Sequence, residues 1–225
     1  MVESVNPSNL SHVVGRLQTC TSADVAPAVE RAAAAQTAWQ SAGAGARAAL
    51  LLRAGERMAA RRDDFAVLVA SEAGKSRREA LGDVDEAVDF LRFYGVDAYD
   101  RETKSPSREA RGVIAVIAPW NFPLAIPCGM AAAALATGNT AVLKSAEQTP
   151  LVVEALIDLF HEVGIPTDVI QHLPGEGATV GAALVAHPKV AGCVFTGSKA
   201  VGTLLHSQLA AANHRTAGGA DSGKM

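Results

Sequence analysis

Two hydrophobic rhythms divide the chain. Up to about residue 110 the apolar positions recur every three or four residues. "SADVAPAVERAAAAQTAWQ" places Val25, Ala28, Val29, Ala32 and Ala33 on one stripe, with Asp24 or Ser22 as the expected N-cap. "ARAALLLRAGERMAARR" aligns Leu50, Leu51, Ala54 and Met58. Phe65, Leu68 and Val69 follow in "RDDFAVLVASEAGK", where Gly74 fits the residue after a helix end. A further stripe runs through Leu81, Val84, Val88, Leu91 and Tyr94. Core packing is the reading taken for all of these stripes. Ahead of them, "SHVVGRLQTC" reads as a strand or hairpin arm, with Gly15 at a turn or bulge.

From Arg111 the rhythm changes. Continuous apolar runs alternate with helical ones: "GVIAVIA", then "PLAIPCGMAAAALATG" ending at Gly138; "NTAVLKS", then "TPLVVEALIDLFHEVG" capped by Thr149, with Pro150 first in the helix and Gly164 closing it. "DVIQHL" leads into the glycine-rich "PGEGATVGAALVAHP", and "VAGCVFTGS" into "KAVGTLLHSQLA". Alternation at this spacing predicts crossover units and a parallel sheet, with strands apolar throughout because helices cover both faces. The expected fold is α/β: a helical region over 1–110 packed on an open, mostly parallel Rossmann-like sheet over 111–208. The tail "ANHRTAGGADSGKM" has no periodicity and is expected to be disordered over 209–225.

Composition adds mostly exclusions. The 225 residues are 49% apolar and 19% charged, ordinary for a globular chain, and the net charge of −3 gives no reason to expect nucleic acid or an anionic membrane as a partner. No apolar run approaches bilayer length, and "MVESVNPSNL" lacks a signal-peptide pattern, so a cytoplasmic location is expected. Cys20, Cys128 and Cys193 are too widely spaced for a disulfide framework or a metal site, and the six histidines are equally scattered. No metal site is expected.

The candidate chemistry lies where the four strands end, since open parallel sheets bind ligands outside those ends. The first strand ends in Pro119, Trp120 and Asn121, the second in Lys144 with Glu147 beyond, the third in Gly175–Glu176–Gly177, and the fourth in Thr196–Gly197–Ser198. "GEGATVG" approaches the dinucleotide fingerprint but is one residue too long between its second and third glycines; a glycine turn at a helix start is the plainer alternative. Gly197 would let a ligand near the backbone, and Ser198 opens a helix end that favours phosphate, or is an ordinary cap. Lys144 either snorkels to solvent or donates to ribose hydroxyls, with Glu147 accepting from the same sugar; a carboxylate there disfavours a 2′-phosphate and so favours NAD over NADP. Asn121 is an oxyanion donor or a turn residue bonded to its own backbone, and Trp120 could be simply core.

"APWNFP", "AAAALATGNTAVLKSAEQTP", "PGEGATVGAALVAHP" and "VFTGSKAVG", in this order, resemble the aldehyde dehydrogenase superfamily. "EAGKSRREALGDVDEAVDFLRFYG" is similar to the branch of pyrroline-5-carboxylate (glutamate semialdehyde) dehydrogenases, which includes the second domain of proline utilization A. The resemblance implies roles by position. Asn121 becomes the side-chain donor of the oxyanion hole. Pro119 and Trp120 lie along the cofactor, Lys144 and Glu147 hold the adenosine ribose, Gly177 approaches the adenine, and Gly181 is a further cofactor-binding residue. Ser198 and the amides from Gly197 to Gly202 hold the pyrophosphate, with Phe195, Val201 and Gly202 among the cofactor contacts. It implies NAD, a small aldehyde oxidised to an acid, a cysteine nucleophile and a glutamate-activated water.

Two departures stand out. Position 145 is serine where the family usually has proline. The glutamate-leucine-glycine-glycine element and the later nucleophilic cysteine do not follow; "TAGGADSGKM" stands there instead. None of the three cysteines is placed as a substitute, so the chain alone is expected to be inactive. Three expectations follow: a cofactor-binding portion completed by a second chain, a non-catalytic nucleotide-binding module, or a truncated product with no function of its own. An unpaired sheet edge and an uncovered apolar surface are expected with it.

Overall fold

The structure, a computed structural model, describes residues 1–104 and 109–216. The sequence read the first hundred residues as helical apart from one possible hairpin arm; the chain in fact starts with a full antiparallel hairpin, β1 (Val2–Asn6) and β2 (Asn9–Leu17). The pairing slips between Ser4 and Val5, which removes one residue of β2 from register, close to Gly15 as expected of a bulge. A side chain at Gly15 would strike Leu151 at 2.8 Å, so glycine there also permits close packing.

Four helices follow: α1 (Ser22–Ser41), α2 (Gly43–Ala60), α3 (Arg62–Ala73) and α4 (Arg77–Lys104). The N-cap of α1 is Thr21 rather than Ser22 or Asp24; Asp24 instead accepts from the Thr21 N–H at 2.7 Å and hydroxyl at 2.9 Å. Gly74 closes α3 in the left-handed conformation, φ 67°, as its position predicts.

The second half alternates as the apolar runs require: β3 (Val113–Ile117), α5 (Ala125–Ala136), β4 (Thr140–Lys144), α6 (Pro150–Glu162), β5 (Ile170–His172), a π-helical turn (Gly177–Gly181) with α7 (Ala182–Ala186), β6 (Val190–Phe195) and α8 (Lys199–Thr216). The four strands form one parallel sheet in the order β5-β4-β3-β6. The last helix is longer than its apolar pattern predicts, running through Thr216; the rest of the expected disordered tail, 217–225, lies outside the described residues.

Alternation along β3 explains why its run has no polar position. Val113, Ala115 and Ile117 pack into a core with α1, α7 and α8 through Val25, Val29, Leu184 and Leu205. Ile114 and Val116 face the other way, onto α5 and α6, which are backed by α2, α3 and α4 through Leu51, Met58, Val69, Val84 and Leu91. Both faces are covered, as a parallel sheet requires. Among the described residues β6 pairs on one side only, and Val194, Val201 and Leu204 on β6 and α8 are exposed.

Thr149 precedes α6 as expected, but its hydroxyl does not cap the helix and is buried without a partner. The cap comes from Glu72 of α3, buried at 3% exposure. Its carboxylate accepts from the N–H groups of Leu151 and Val152 at 2.9 and 2.8 Å and from the Ser4 hydroxyl at 2.7 Å, joining the hairpin, α3 and α6. Burial pushes the Glu72 carboxyl up, and these hydrogen bonds offset it only in part. Glu72→Ala should cost about 2–3 kcal/mol in urea unfolding at pH 7, because it strands two helix N–H groups. A folded pKa above the unfolded value means that protonation favours the native state. The component of stability due to this group is full below the unfolded value and is lost as pH rises through the folded one. Glu72→Gln should remove that falling component from the stability–pH curve above about pH 4.5.

Candidate functional site

The register of the sheet brings the strand ends together. Ile117, Lys144 and Phe195 stand level across β3, β4 and β6, and His172 pairs beside Leu143. Main-chain bonds carry the alignment one residue further: Ala118 N–H donates to Lys144 at 3.1 Å, Thr196 N–H to Ile117 at 3.4 Å, and Leu173 N–H to Leu143 at 2.8 Å. All four turns singled out in the sequence therefore leave one edge of the sheet.

At its centre Lys144, Glu147 and Gly177 meet. Lys144 does not snorkel: its side chain is 5% exposed, while that of Glu147 is 47% exposed. The ammonium donates to Glu147 Oε1 at 2.9 Å, and the Gly177 N–H donates to the same oxygen at 2.6 Å. Burial pushes the Glu147 carboxyl up, but the bonds from Lys144 and Gly177 and the lysine charge outweigh it and hold it below the ordinary carboxylate range. A buried cation tied to a half-exposed anion, with a free main-chain face beside them, suits a sugar diol: one group donates and the other accepts.

The extra residue in "GEGATVG" is absorbed by the π-helical turn, in which the Gly181 N–H reaches Glu176 O at 3.3 Å, five residues back. Neither Gly177 nor Gly181 has a positive φ. A Cβ at Gly177 would sit at ordinary contact distance, 3.6 Å from Glu147 and 3.7 Å from Lys144, and one at Gly181 would meet nothing within 4 Å. Backbone conformation does not demand these glycines; Gly177 keeps open a surface beside the Lys144–Glu147 pair, while Gly181 is buried.

The fourth turn differs from its sequence reading. The space above Gly197 is filled by the Phe195 ring, which a Cβ there would meet at 2.7 Å and a Cβ at Gly202 at 3.2 Å. Ser198 acts as an ordinary cap of α8: its Oγ accepts from the Val201 N–H at 3.3 Å, and its carbonyl accepts from Gly202 at 3.0 Å. Ser198 thus takes up the Val201 and Gly202 N–H groups, which leaves those of Lys199 and Ala200 without a helical acceptor, and Val201 is exposed.

On the first turn Pro119 is buried, while Trp120, 57% exposed, is not core. Asn121 is exposed, and its side chain makes no hydrogen bond among the described residues, so it is not a turn residue bonded to its own backbone. What holds this loop is a pair the sequence reading missed. Asp83 of α4, buried, accepts from the Ala125 N–H at 2.8 Å and from Lys75 at 2.8 Å. Lys75 in turn lies 4.0 Å over the Phe122 ring. The available signal was Asp83 interrupting the apolar face of α4, with Lys75 in the short connection just before that helix.

The cysteines are poor nucleophiles. Burial pushes the Cys128 thiol far up, with Asp83 adding to it, and burial raises Cys193 to about 11. Burial, then Asp24 and Glu154, also raise Cys20. A disulfide-exchange reagent at pH 7.5 should modify Cys20 and Cys193 slowly in the native chain and Cys128 only on unfolding.

Comparison with known proteins places this geometry. The profile of the aldehyde dehydrogenase family matches residues 1–220, and the chain belongs to that family. It is 36% identical to the 2,5-dioxopentanoate dehydrogenase of Saccharolobus solfataricus, covering 94% of this chain and 47% of that protein. It is 42% identical to the bifunctional protein PutA of Klebsiella aerogenes, covering 92% and 16%. Among solved structures, 1-pyrroline-5-carboxylate dehydrogenase from Thermus with bound NAD superposes with a TM-score of 0.87 at 36% identity, covering 92% of this chain and 42% of that one. The chain thus spans less than half the length of these relatives. No described helix is long and apolar enough to cross a membrane, and no described group of histidine, cysteine or acidic side chains is placed to hold a metal ion.

Proposed function

We propose that this chain is the NAD-binding portion of an aldehyde dehydrogenase acting on L-glutamate γ-semialdehyde in proline catabolism, in the cytoplasm. The observation that carries the reading is the convergence of Lys144, Glu147 and Gly177 at the centre of the sheet edge. The names of its relatives support the reaction class, and the Thermus protein's bound NAD supports the cofactor. Lys144 would donate to, and Glu147 accept from, the adenosine ribose. Gly177 would admit the adenine. The Lys199 and Ala200 N–H groups would face the pyrophosphate beside the exposed Val201, with Ser198 and Gly202 shaping the turn and Phe195 supporting it from behind. Pro119 and Trp120 would run along the cofactor, and the Asn121 amide would donate to the oxygen that becomes negative as an aldehyde is attacked. A nicotinamide held there would supply the hydride acceptor for aldehyde oxidation. The thiolate and the water-activating carboxylate of that chemistry would come from residues other than those described, either elsewhere in the polypeptide or on a partner chain.

A carboxylate at Glu147 would repel a 2′-phosphate on the ribose it accepts from, which favours NAD over NADP. Calorimetric titration of the chain should give weak saturable binding of NAD, with Kd on the order of 0.1–1 mM, and at least about tenfold weaker binding of NADP. Equal binding of both, or of neither, would count against the site. A second reading, a nucleotide-binding module without chemistry of its own, is favoured by the three raised thiols. NADH formation from semialdehyde by this chain alone would exclude it.

A further inference from the structure

Next to the nucleotide edge, the first residue after β4 belongs to a second constellation. Ser145 Oγ lies 2.9 Å from His172 Nε2, at the end of β5, and His172 Nδ1 lies 2.5 Å from Glu154 Oε2, on the first turns of α6. With its proton on Nδ1 toward the carboxylate, the imidazole offers Nε2 as acceptor to the serine hydroxyl. Three elements of different sequence position hold this chain of groups, so its geometry does not rest on one flexible loop. Ser145 also borders a pocket of 530 Å³ whose wall includes Cys20, Ser22, Pro174 and Thr179. Ser22 opens α1, where first-turn N–H groups lack helical acceptors. Glu147 and Glu176 line the same pocket, so it adjoins the nucleotide edge; Ser145, His172 and Glu154 themselves have no part in the dinucleotide reading.

We propose that Ser145, His172 and Glu154 form a nucleophile, base and orienting carboxylate, and that Ser145 takes a small acyl group from an activated ester bound in this pocket. Ser145 Oγ bonds to the carbonyl carbon while its proton passes to His172 Nε2. The bond from that carbon to the ester oxygen breaks, and the leaving alcohol carries the proton away. Water, deprotonated by the same imidazole, then attacks the acyl-serine, releasing the carboxylic acid and restoring the hydroxyl. The serine is nearly buried, at 1% exposure, which limits the acyl group to about the size of acetyl. The imidazole hydrogen bond holds the Glu154 carboxyl below its ordinary range, so the orienting group stays charged at neutral pH.

The full chain is treated with p-nitrophenyl acetate, which supplies the rate, and the acetyl adduct is trapped by acid quench and mapped by mass spectrometry. The expected result is one adduct, on Ser145, and a burst of nitrophenol that vanishes in Ser145→Ala and falls about 100-fold in His172→Gln. Mapping the adduct on the unmodified sequence does not depend on either variant folding. An adduct on Cys20, no adduct, or nitrophenol release unchanged by Ser145→Ala would overturn the assignment.

Discussion

Arg47→Ala should lower the unfolding free energy by about 4 kcal/mol, close to 10 °C in melting temperature for a chain of this size. Arg47 sits on the first turn of α2 and is 2% exposed. Its Nη1 donates to Gln40 O at 2.8 Å and Trp39 O at 3.4 Å, at the end of α1, and its Nε donates to Ala136 O at 3.1 Å, at the end of α5. One guanidinium therefore serves the carbonyl ends of two helices, where the helix dipole favours a cation. Truncation leaves those carbonyls buried with fewer donors and opens a cavity against Gly138, whose Cβ position lies 3.4 Å from the Arg47 Cζ. Arg47→Lys should recover only part of the loss, because a single ammonium cannot match the fork. Thermal melts of the three proteins check this, and equal melting temperatures would contradict it.

Lys144→Met should weaken NAD binding by about 10- to 100-fold, the loss of roughly 1.5–3 kcal/mol from a hydrogen bond made by a charged donor. The methionine keeps much of the buried stem's volume, so the fold should persist. Glu147, which loses its partner, is half exposed and can hydrate. A melting temperature near that of the unsubstituted chain, with NAD binding lost in a ligand-observed NMR titration, is the expected pair of results. Unchanged NAD affinity would remove Lys144 from the site.

The strand and helix alternation from residue 111 was legible because each apolar run is long enough to reveal its period, and helix ends carry Gly138 and Gly164, both at positive φ. So were the four turn segments, because strand ends in a parallel sheet lie at one edge whatever the details. Hidden from the sequence were features set by distant partners. β1 carries Ser4 and Asn6, which read as loop until paired with β2. Glu72 caps a helix 79 residues away, and Thr149, the local candidate, does not. Lys75 and Asp83 hold the Asn121 loop through contacts no spacing predicts. The odd glycine spacing looked like a defect in a motif; a π-helical turn makes it fit.

The most direct test of the nucleotide edge is an amide NMR titration of the chain with NAD. Shifts should move together at Gly177, Gly181, Lys199, Ala200 and Val201, with the Trp120 indole responding in the same titration. Shifts scattered over faces away from the carboxyl ends of β3, β4 and β6, or none at millimolar NAD, would contradict a single groove.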